Sequence, residues 1–296
     1  MPRPARPARS ARSARSARST RSEDHIADAG GEEKAQRGIQ SVEVGGRFLR
    51  ALADVRAPMA LADLAASVQI APAQAHTYLV SLVRLGLIKR DHLSGRYEPG
   101  PLALQLGMLY LDHDPAYRAA VPLVAALAGS CGFSVAICAA GPHGPTIVRY
   151  AHAGSPLHVN LHVGTVMSLS ATATGRVFCA FLPPGQWQAI WAQQHAGDTL
   201  AVDATAFGAD LAAIRERGIE RSIDAPSPAV SSLCVPVLDA SGRLRLALTV
   251  VGSTGAIDVG WRGPVAVALL DTAAAIRDAI AATNVTNVTN ATNETE

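Results

Sequence analysis

The sequence predicts an α+β protein in which a winged helix-turn-helix precedes a connecting helix and a larger mixed domain. Three observations carry this reading. Apolar residues between positions 41 and 85 recur at helical spacing and then give way to a short hairpin. Beyond about residue 115 the helical period alternates with the two-residue period of strands. The chain's 296 residues also suit two modules of about 100–200 residues each better than one large core.

The elements follow in order. Residues 1–37 form an Arg/Ser/Ala-rich tail with almost nothing to bury, expected to be disordered; residues 1–22 hold seven Arg and no acid, which leaves the rest of the chain at a net charge of −5. Such a tail can add sequence-independent attraction to polyanions, or be inert. Residues 38–101 make the winged helix. Ser41 is a plausible N-cap, Val42, Leu49 and Leu52 fall at helical spacing with Phe48 beside them, and Ala57-Pro58 breaks the helix after about Asp54. Leu61, Leu64, Ala65 and Val68 mark a second short helix. The third runs from Pro72, suited to a first turn, to Leu85, with Ala75, Leu79, Leu82 and Leu85 as its buried stripe and Gly86 as a left-handed end. Leu87–Arg90 and Arg96–Pro99, separated by a turn ending in Gly95, read as the hairpin wing.

Residues 102–114 form the connecting helix. Leu102, Leu106, Leu109 and Tyr110 lie near one face with no obvious partner in the small domain, which favours pairing with a second copy; packing on its own wing is the alternative. Residues 115–282 form the mixed domain: a helix 115–129, a strand 133–139, the turn 141–145, a strand 146–151, a helix 172–181, helices near Gln186 and Ala204, strands near Ile219, at 230–238 and at 244–251, and a last helix 264–282. Asp239-Ala240-Ser241-Gly242 joins two of these strands as an antiparallel hairpin. Residues 283–296 repeat Asn-x-Thr and form a low-complexity tail without assigned function.

Composition narrows the function classes. Hydrophobic residues make up 49% of the chain and charged residues 17%, so a real core is expected. The best apolar run, 264–282, is interrupted by Asp271, Arg277 and Asp278, which excludes a spanning helix there. No membrane partner is expected. The four cysteines, Cys131, Cys138, Cys179 and Cys234, lie in apolar stretches without a C-x-x-C pair and read as buried free thiols of a cytoplasmic protein. No Gly-x-Ser-x-Gly, Walker, Gly-x-Gly-x-x-Gly or His-Glu-x-x-His motif is present, so neither catalytic residues nor a cofactor are expected. His152, His158 and His162 cluster without an accompanying carboxylate or cysteine at ligand spacing, and read as ordinary strand histidines rather than a metal site.

A winged helix can place its third helix in the major groove of DNA, about 12 Å wide, while the hairpin meets phosphates. On that placement Pro72, Ala73, Gln74, His76, Thr77 and Tyr78 lie at the groove end, with Gln74 and His76 the base readers and Lys89, Arg90 and Arg96 the phosphate contacts. Residues 38–101 hold seven basic and five acidic groups, a weak basic excess that leaves a protein-interaction module as an alternative. In the second domain, Gly164–Arg176 is a small-residue loop feeding a helix. Free N–H groups at such a helix start suit a small carboxylate, and a plain helix cap is the alternative.

The runs Ile39-Gln40-Ser41-Val42-Glu43, Leu61-Ala62-Asp63-Leu64-Ala65, Ala75-His76-Thr77-Tyr78-Leu79-Val80-Ser81-Leu82 and Gly95-Arg96-Tyr97-Glu98-Pro99-Gly100-Pro101 resemble the DNA-binding half of IclR-family bacterial transcriptional regulators. Similarity continues to about residue 281. It departs inside the third helix, where the family usually has Lys or Arg near Gln74 and Arg at the position of Thr77. The resemblance implies a GAF-like effector domain, a homodimer or dimer of dimers, double-stranded operator DNA as partner and a small-molecule effector. It also implies an effector cavity lined by Met167, Leu169, Ala171, Thr172 and Ala173, by Ser222, Asp224, Ser232 and Cys234, and by Thr249 and Val251. The family commonly has Pro at Ser168 and Lys at Arg176. The function expected is therefore a ligand-responsive regulator whose effector is an organic acid; an enzyme acting on that ligand is the competing expectation.

Overall fold

The computed structural model describes residues 38–154, 161–196 and 204–293. The expectations for residues 1–37 and His158 lie outside them.

The N-terminal unit is three helices, α1 (Gln40–Val55), α2 (Leu61–Val68) and α3 (Pro72–Arg84), followed by an antiparallel wing of β1 (Ile88–Arg90) and β2 (Tyr97–Pro99). Met59, between α1 and α2, adds a bridge to Tyr97 through reciprocal backbone hydrogen bonds of 2.9 and 2.8 Å, which fastens the wing to the helices. Phe48, Leu64, Leu79 and Ile88 are fully buried and join all these pieces in one core.

Three local expectations are corrected. α1 begins at Gln40 with Ile39 as N-cap, so Ser41 is an interior residue; no side chain caps this helix. Val42 is 68% exposed and Leu85 60% exposed, because the core-facing stripe of α1 runs through Val44, Phe48 and Leu52, and α3 turns out of the core after Leu82. Gly86, at φ +75°, makes the left-handed exit expected of it.

The connecting helix α4 (Pro101–Asp112) buries none of its residues; Leu104, Leu106, Met108, Leu109 and Tyr110 are all exposed. Asp114 then caps α5 (Pro115–Cys131), accepting from the amides of Ala116 and Tyr117.

The C-terminal unit is a five-stranded antiparallel sheet in the order β4-β3-β7-β6-β5, built from β3 (Ser134–Gly141), β4 (Gly144–Ala151), β5 (Glu220–Ser222), β6 (Val230–Leu238) and β7 (Leu244–Ser253). α5 and α9 (Pro264–Asn293) cover one face, and α6 (Ala173–Phe181), with α8 (Ala204–Arg217) packed on it, covers the other. α7 (Pro184–Gln194) stands beside α6. The alternation of strand residues divides the faces by size. Val135, Ile137, Leu233, Val235, Leu248 and Val250 point toward α5 and α9, while Ala136, Cys138, Cys234 and Ala247 point toward α6. Small side chains on the second face leave room above the sheet.

Two boundaries differ from expectation. The β3–β4 connection is a two-residue turn, Pro142-His143, since Gly141 already pairs with Gly144. α9 continues to Asn293 through the Asn-x-Thr repeat, which contains no Gly or Pro to stop it. Cys138, Cys179 and Cys234 are buried free thiols, whereas Cys131 is only half-buried at the end of α5. Among the described residues no helix is long and apolar enough to cross a membrane, and no cluster of His, Cys, Asp or Glu suits a metal ion.

Candidate functional site

The two units present different sites. In the first, Pro72, Ala73, Gln74, His76 and Thr77 are exposed on the opening turns of α3. Pro72 occupies the first turn, Ala71 supplies no side-chain cap, and the amides of Ala73 and Gln74 have no acceptor among the described residues. Donors and polar side chains thus face outward together. Tyr78 does so only partly: its ring packs 6.0 Å from that of Phe48. On the wing, Lys89 pairs with Glu98 at 3.0 Å, Arg90 donates to Gly95 O and lies over the Tyr97 ring, and Arg96 donates to Pro58 O at 3.1 Å. Only Lys89 has its charge paired; the two arginines are steadied by carbonyls and ring while keeping theirs.

In the second unit, residues 164–167 run along β4, with Ile147 and Thr165, Gly164 and Ile147, and Met167 and Pro145 joined by backbone bonds of 2.7–2.9 Å. The loop then folds into α6. Thr172 caps that helix by accepting from Gly175 N at 2.9 Å, and its hydroxyl donates to Ser168 O at 2.7 Å. Gly175 is required here, since a Cβ would stand 2.0 Å from Ser168 O and 2.5 Å from Leu169 Cα. Capping consumes one amide; those of Ala173 and Thr174 have no acceptor among the described residues.

A cavity of about 180 Å³ opens beside this helix start. Five of the residues expected to line it do so, Met167, Thr172, Ser232, Thr249 and Val251, because the β6–β7 register sets Ser232 opposite Val251 and Cys234 opposite Thr249. The other six stand elsewhere. Leu169 faces a separate cavity, Ala171 lies outside the lining, and Ala173 is packed in the core. Cys234 is fully buried against Thr249 and Thr174, and burial pushes its thiol up to about 12, so it stays protonated. Ser222 and Asp224 act one step back: Ser222 donates to Ala225 O at 2.8 Å, while Asp224 accepts from Ala229 N at 3.0 Å and from Thr254 Oγ1 at 2.7 Å. They brace the 225–229 loop, whose Ala225, Pro226 and Ser227 complete the wall together with Leu161 and Val230. The three loop residues were missed in the sequence because a loop between strands has no periodicity; Pro226, two residues beyond Asp224, was the available signal.

Three further residues hold the site, and two of them, Gln194 and His143, the sequence did not single out. Gln194, at the end of α7, accepts from Leu169 N at 2.8 Å and donates to His143 O at 2.8 Å, joining the loop to the β3–β4 turn. His143 in turn sets its Nε2 2.9 Å from Asp54 of α1, a link between the two units. Arg176 spans Ser170 O, Glu220 and Arg221 O at 2.8–3.0 Å, locking the loop to β5. His152 stacks edge-on against Tyr150 and His162 bonds with Thr165, which gives each an ordinary structural partner.

A winged helix with an outward-facing polar helix start, joined to a sheet domain holding a small cavity, defines a DNA-binding transcriptional regulator. The comparisons with known proteins agree. The model of the bacterial transcriptional regulator IclR C-terminal domain matches residues 108–278, and that of the IclR helix-turn-helix domain matches residues 41–92. The glycerol operon regulatory protein of Streptomyces coelicolor is 31% identical over 223 residues, 75% of this chain and 87% of its own length. The crystal structure of Pseudomonas aeruginosa HmgR is 32% identical, with a TM-score of 0.52 over 81% of this chain and 97% of its own. An IclR homologue from Microbacterium hydrocarbonoxydans, crystallised with 4-hydroxybenzoate, shares the fold at 16% identity and a TM-score of 0.65, covering 82% of this chain and 99% of its own. The chain belongs to the IclR family of bacterial transcriptional regulators, and its domains and relatives are regulators rather than enzymes.

Proposed function

We propose that this regulator is controlled by a small organic carboxylate held in the 180 Å³ cavity. The observation that carries the reading is the Ser232 hydroxyl, which faces a cavity opening beside the Thr172-capped start of α6. Anions are stabilised near helix N-termini by the helix dipole. The Ser232 hydroxyl has no hydrogen-bond partner among the described residues and is free to donate to a ligand. The volume is below the roughly 300–1,000 Å³ of drug-sized sites, which favours a compact acid. The 4-hydroxybenzoate bound by the Microbacterium homologue is an acid of this kind.

At the other end, Gln74 and His76 read base edges, Thr77 and the α3 amides meet the backbone, and Arg90 and Arg96 supply phosphate charge. The exposed apolar residues of α4 pair with a second copy, so the regulator works in the bacterial cytoplasm as a dimer or dimer of dimers on double-stranded operator DNA. Effector control requires the acid to favour one arrangement of the paired DNA-binding units over another.

Thermal unfolding of the full chain with acetate, succinate, benzoate and 4-hydroxybenzoate, each against its primary amide, tests the carboxylate assignment. At least one acid should raise the Tm in a dose-dependent way while its amide does not, and Ser232→Leu should abolish the rise. Equal stabilisation by acid and amide, or by one acid in both proteins, would overturn it.

A further inference from the structure

The two units meet at a polar contact that lies outside both cores. Asp54 sits in the last turn of α1, where the helix dipole disfavours an acid and no basic residue of that turn offsets it. Its ion pair among the described residues is with His143, on the β3–β4 turn of the other unit, Oδ1 standing 2.9 Å from Nε2. That nitrogen is sealed from solvent and makes no directed hydrogen bond, so the contact is electrostatic. Partly exposed pairs of this kind are weak and open at little cost, which makes them poor supports for a fold and good switches.

Behind His143 the contacts are close and continuous. Gln194 Nε2 donates to His143 O at 2.8 Å and reaches Met167 O at 3.3 Å, while Gln194 Oε1 accepts from Leu169 N at 2.8 Å. Gly144, next in the turn, leaves no slack: a Cβ there would stand 2.7 Å from Gln194 Nε2 and 3.2 Å from Met167 O. Met167 in turn lines the 180 Å³ cavity. Close-packed protein transmits displacement rather than absorbing it, so a shift of the 164–172 loop carries the turn with it and moves His143 relative to Asp54. On the far side, the helix of Asp54 shares its core with α3 through Phe48, Leu52, Leu79 and Leu82.

We propose that His143 and Asp54 form a latch through which the state of the 164–172 loop sets the placement of the DNA-binding unit. Neither residue lines the cavity or lies on α3, so both act through their neighbours. The inference rests on the reading of the 180 Å³ cavity as the regulatory site and supplies the route by which its occupancy reaches α3. Coupling between sites is reciprocal, so DNA held by α3 acts back on the loop, and this is measurable with no effector present.

Hydrogen–deuterium exchange of the full chain, followed by mass spectrometry in peptides covering residues 164–172, is compared without DNA and with a saturating duplex enriched from random sequence by the wild-type protein. In wild type the duplex should change exchange in the loop about two- to fivefold, the range that a partly exposed ion pair can supply. Asp54→Asn and His143→Ala should each lose that change. Asp54→Asn takes an acid from the negative end of a helix, so its Tm should not fall, which separates uncoupling from unfolding. A wild-type loop that does not respond to the duplex, or a response equally large in both variants, would overturn the latch. Because no effector is added, failure of the carboxylate titration leaves this result standing, and failure here leaves the carboxylate assignment standing with its signal carried by another route.

Discussion

α3 and α6 both begin at a candidate site, yet they begin in opposite ways. α3 has no side-chain cap, starts on a proline and shows its first polar residues to solvent. α6 is capped by Thr172, opens on buried residues and is held by Arg176 and Gly175 against its own loop. The first helix start is left for a large partner that supplies its own acceptors. The second is closed down until only a cavity of about 180 Å³ is left beside it. A residue that serves the first needs exposure, while one that serves the second needs a register, a cap and a brace around it.

The sharpest way to break this contrast is at Arg176. Its guanidinium and Glu220 are largely buried, and removing Arg176 leaves Glu220 with Arg217 alone, at 2.9 Å, and leaves Ser170 O and Arg221 O without their charged donor. Arg176→Met should cost about 1.5–3 kcal/mol in urea unfolding. A loss below about 1 kcal/mol would show that the inward-facing start does not depend on its brace.

Gln74→Ala and His76→Ala probe the outward-facing start, where nothing internal is lost. Each should weaken binding to a duplex enriched by the wild-type protein by about 1–3 kcal/mol while leaving stability and random-sequence binding unchanged. Arg96→Ala should instead weaken binding to all sequences and lower the salt slope by about 1. Fluorescence anisotropy at several salt concentrations separates the two patterns, and equal losses on both DNAs for Gln74→Ala would reject base reading.

Thr172→Ala removes the cap that α3 never had, and should cost about 1 kcal/mol by chemical denaturation, the usual value for an N-cap hydroxyl. The smallest effect sharpens the comparison through pH. Asp239 caps the β6–β7 turn with a carboxylate, accepting from the Ser241 hydroxyl at 2.6 Å and from the amides of Ser241 and Arg243. These bonds, the Ser241 hydroxyl first, hold its pKa down at about 2. Because the folded value lies below the unfolded one, its contribution is complete above about pH 4 and is lost as pH falls toward 2. Asp239→Asn should flatten the Tm against pH in that window, whereas Thr172→Ala, which changes only a neutral hydroxyl, should leave the profile's shape unaltered.

The same contrast explains what could be read from the chain. The three helices and wing were legible because their signals are local: the break at Pro58, the proline opening α3 and the positive-φ Gly86 and Gly95. Gln74 and His76 needed only to be off the apolar stripe. Val42 and Leu85 were misplaced because a stripe of helical spacing does not say where its helix leaves the core. In the larger domain, Ser232 and Val251 could be nominated by resemblance, but their juxtaposition is a property of strand register. Cys234, two residues further along the same face, is already roofed by Thr174 and Thr249, whose hydroxyls meet at 2.8 Å. Gln194 and His143, 51 positions apart, had no local signal.

Gln194 sets a rule for transplantation. One carboxamide uses its oxygen on the 164–172 loop and its nitrogen on the neighbouring turn, so neither a carboxylate nor an aliphatic side chain can replace it. The loop of residues 164–172 is therefore not a cassette. Grafted into another domain of the family, residues 164–172 would keep their shape only if the end of α7 travelled with them.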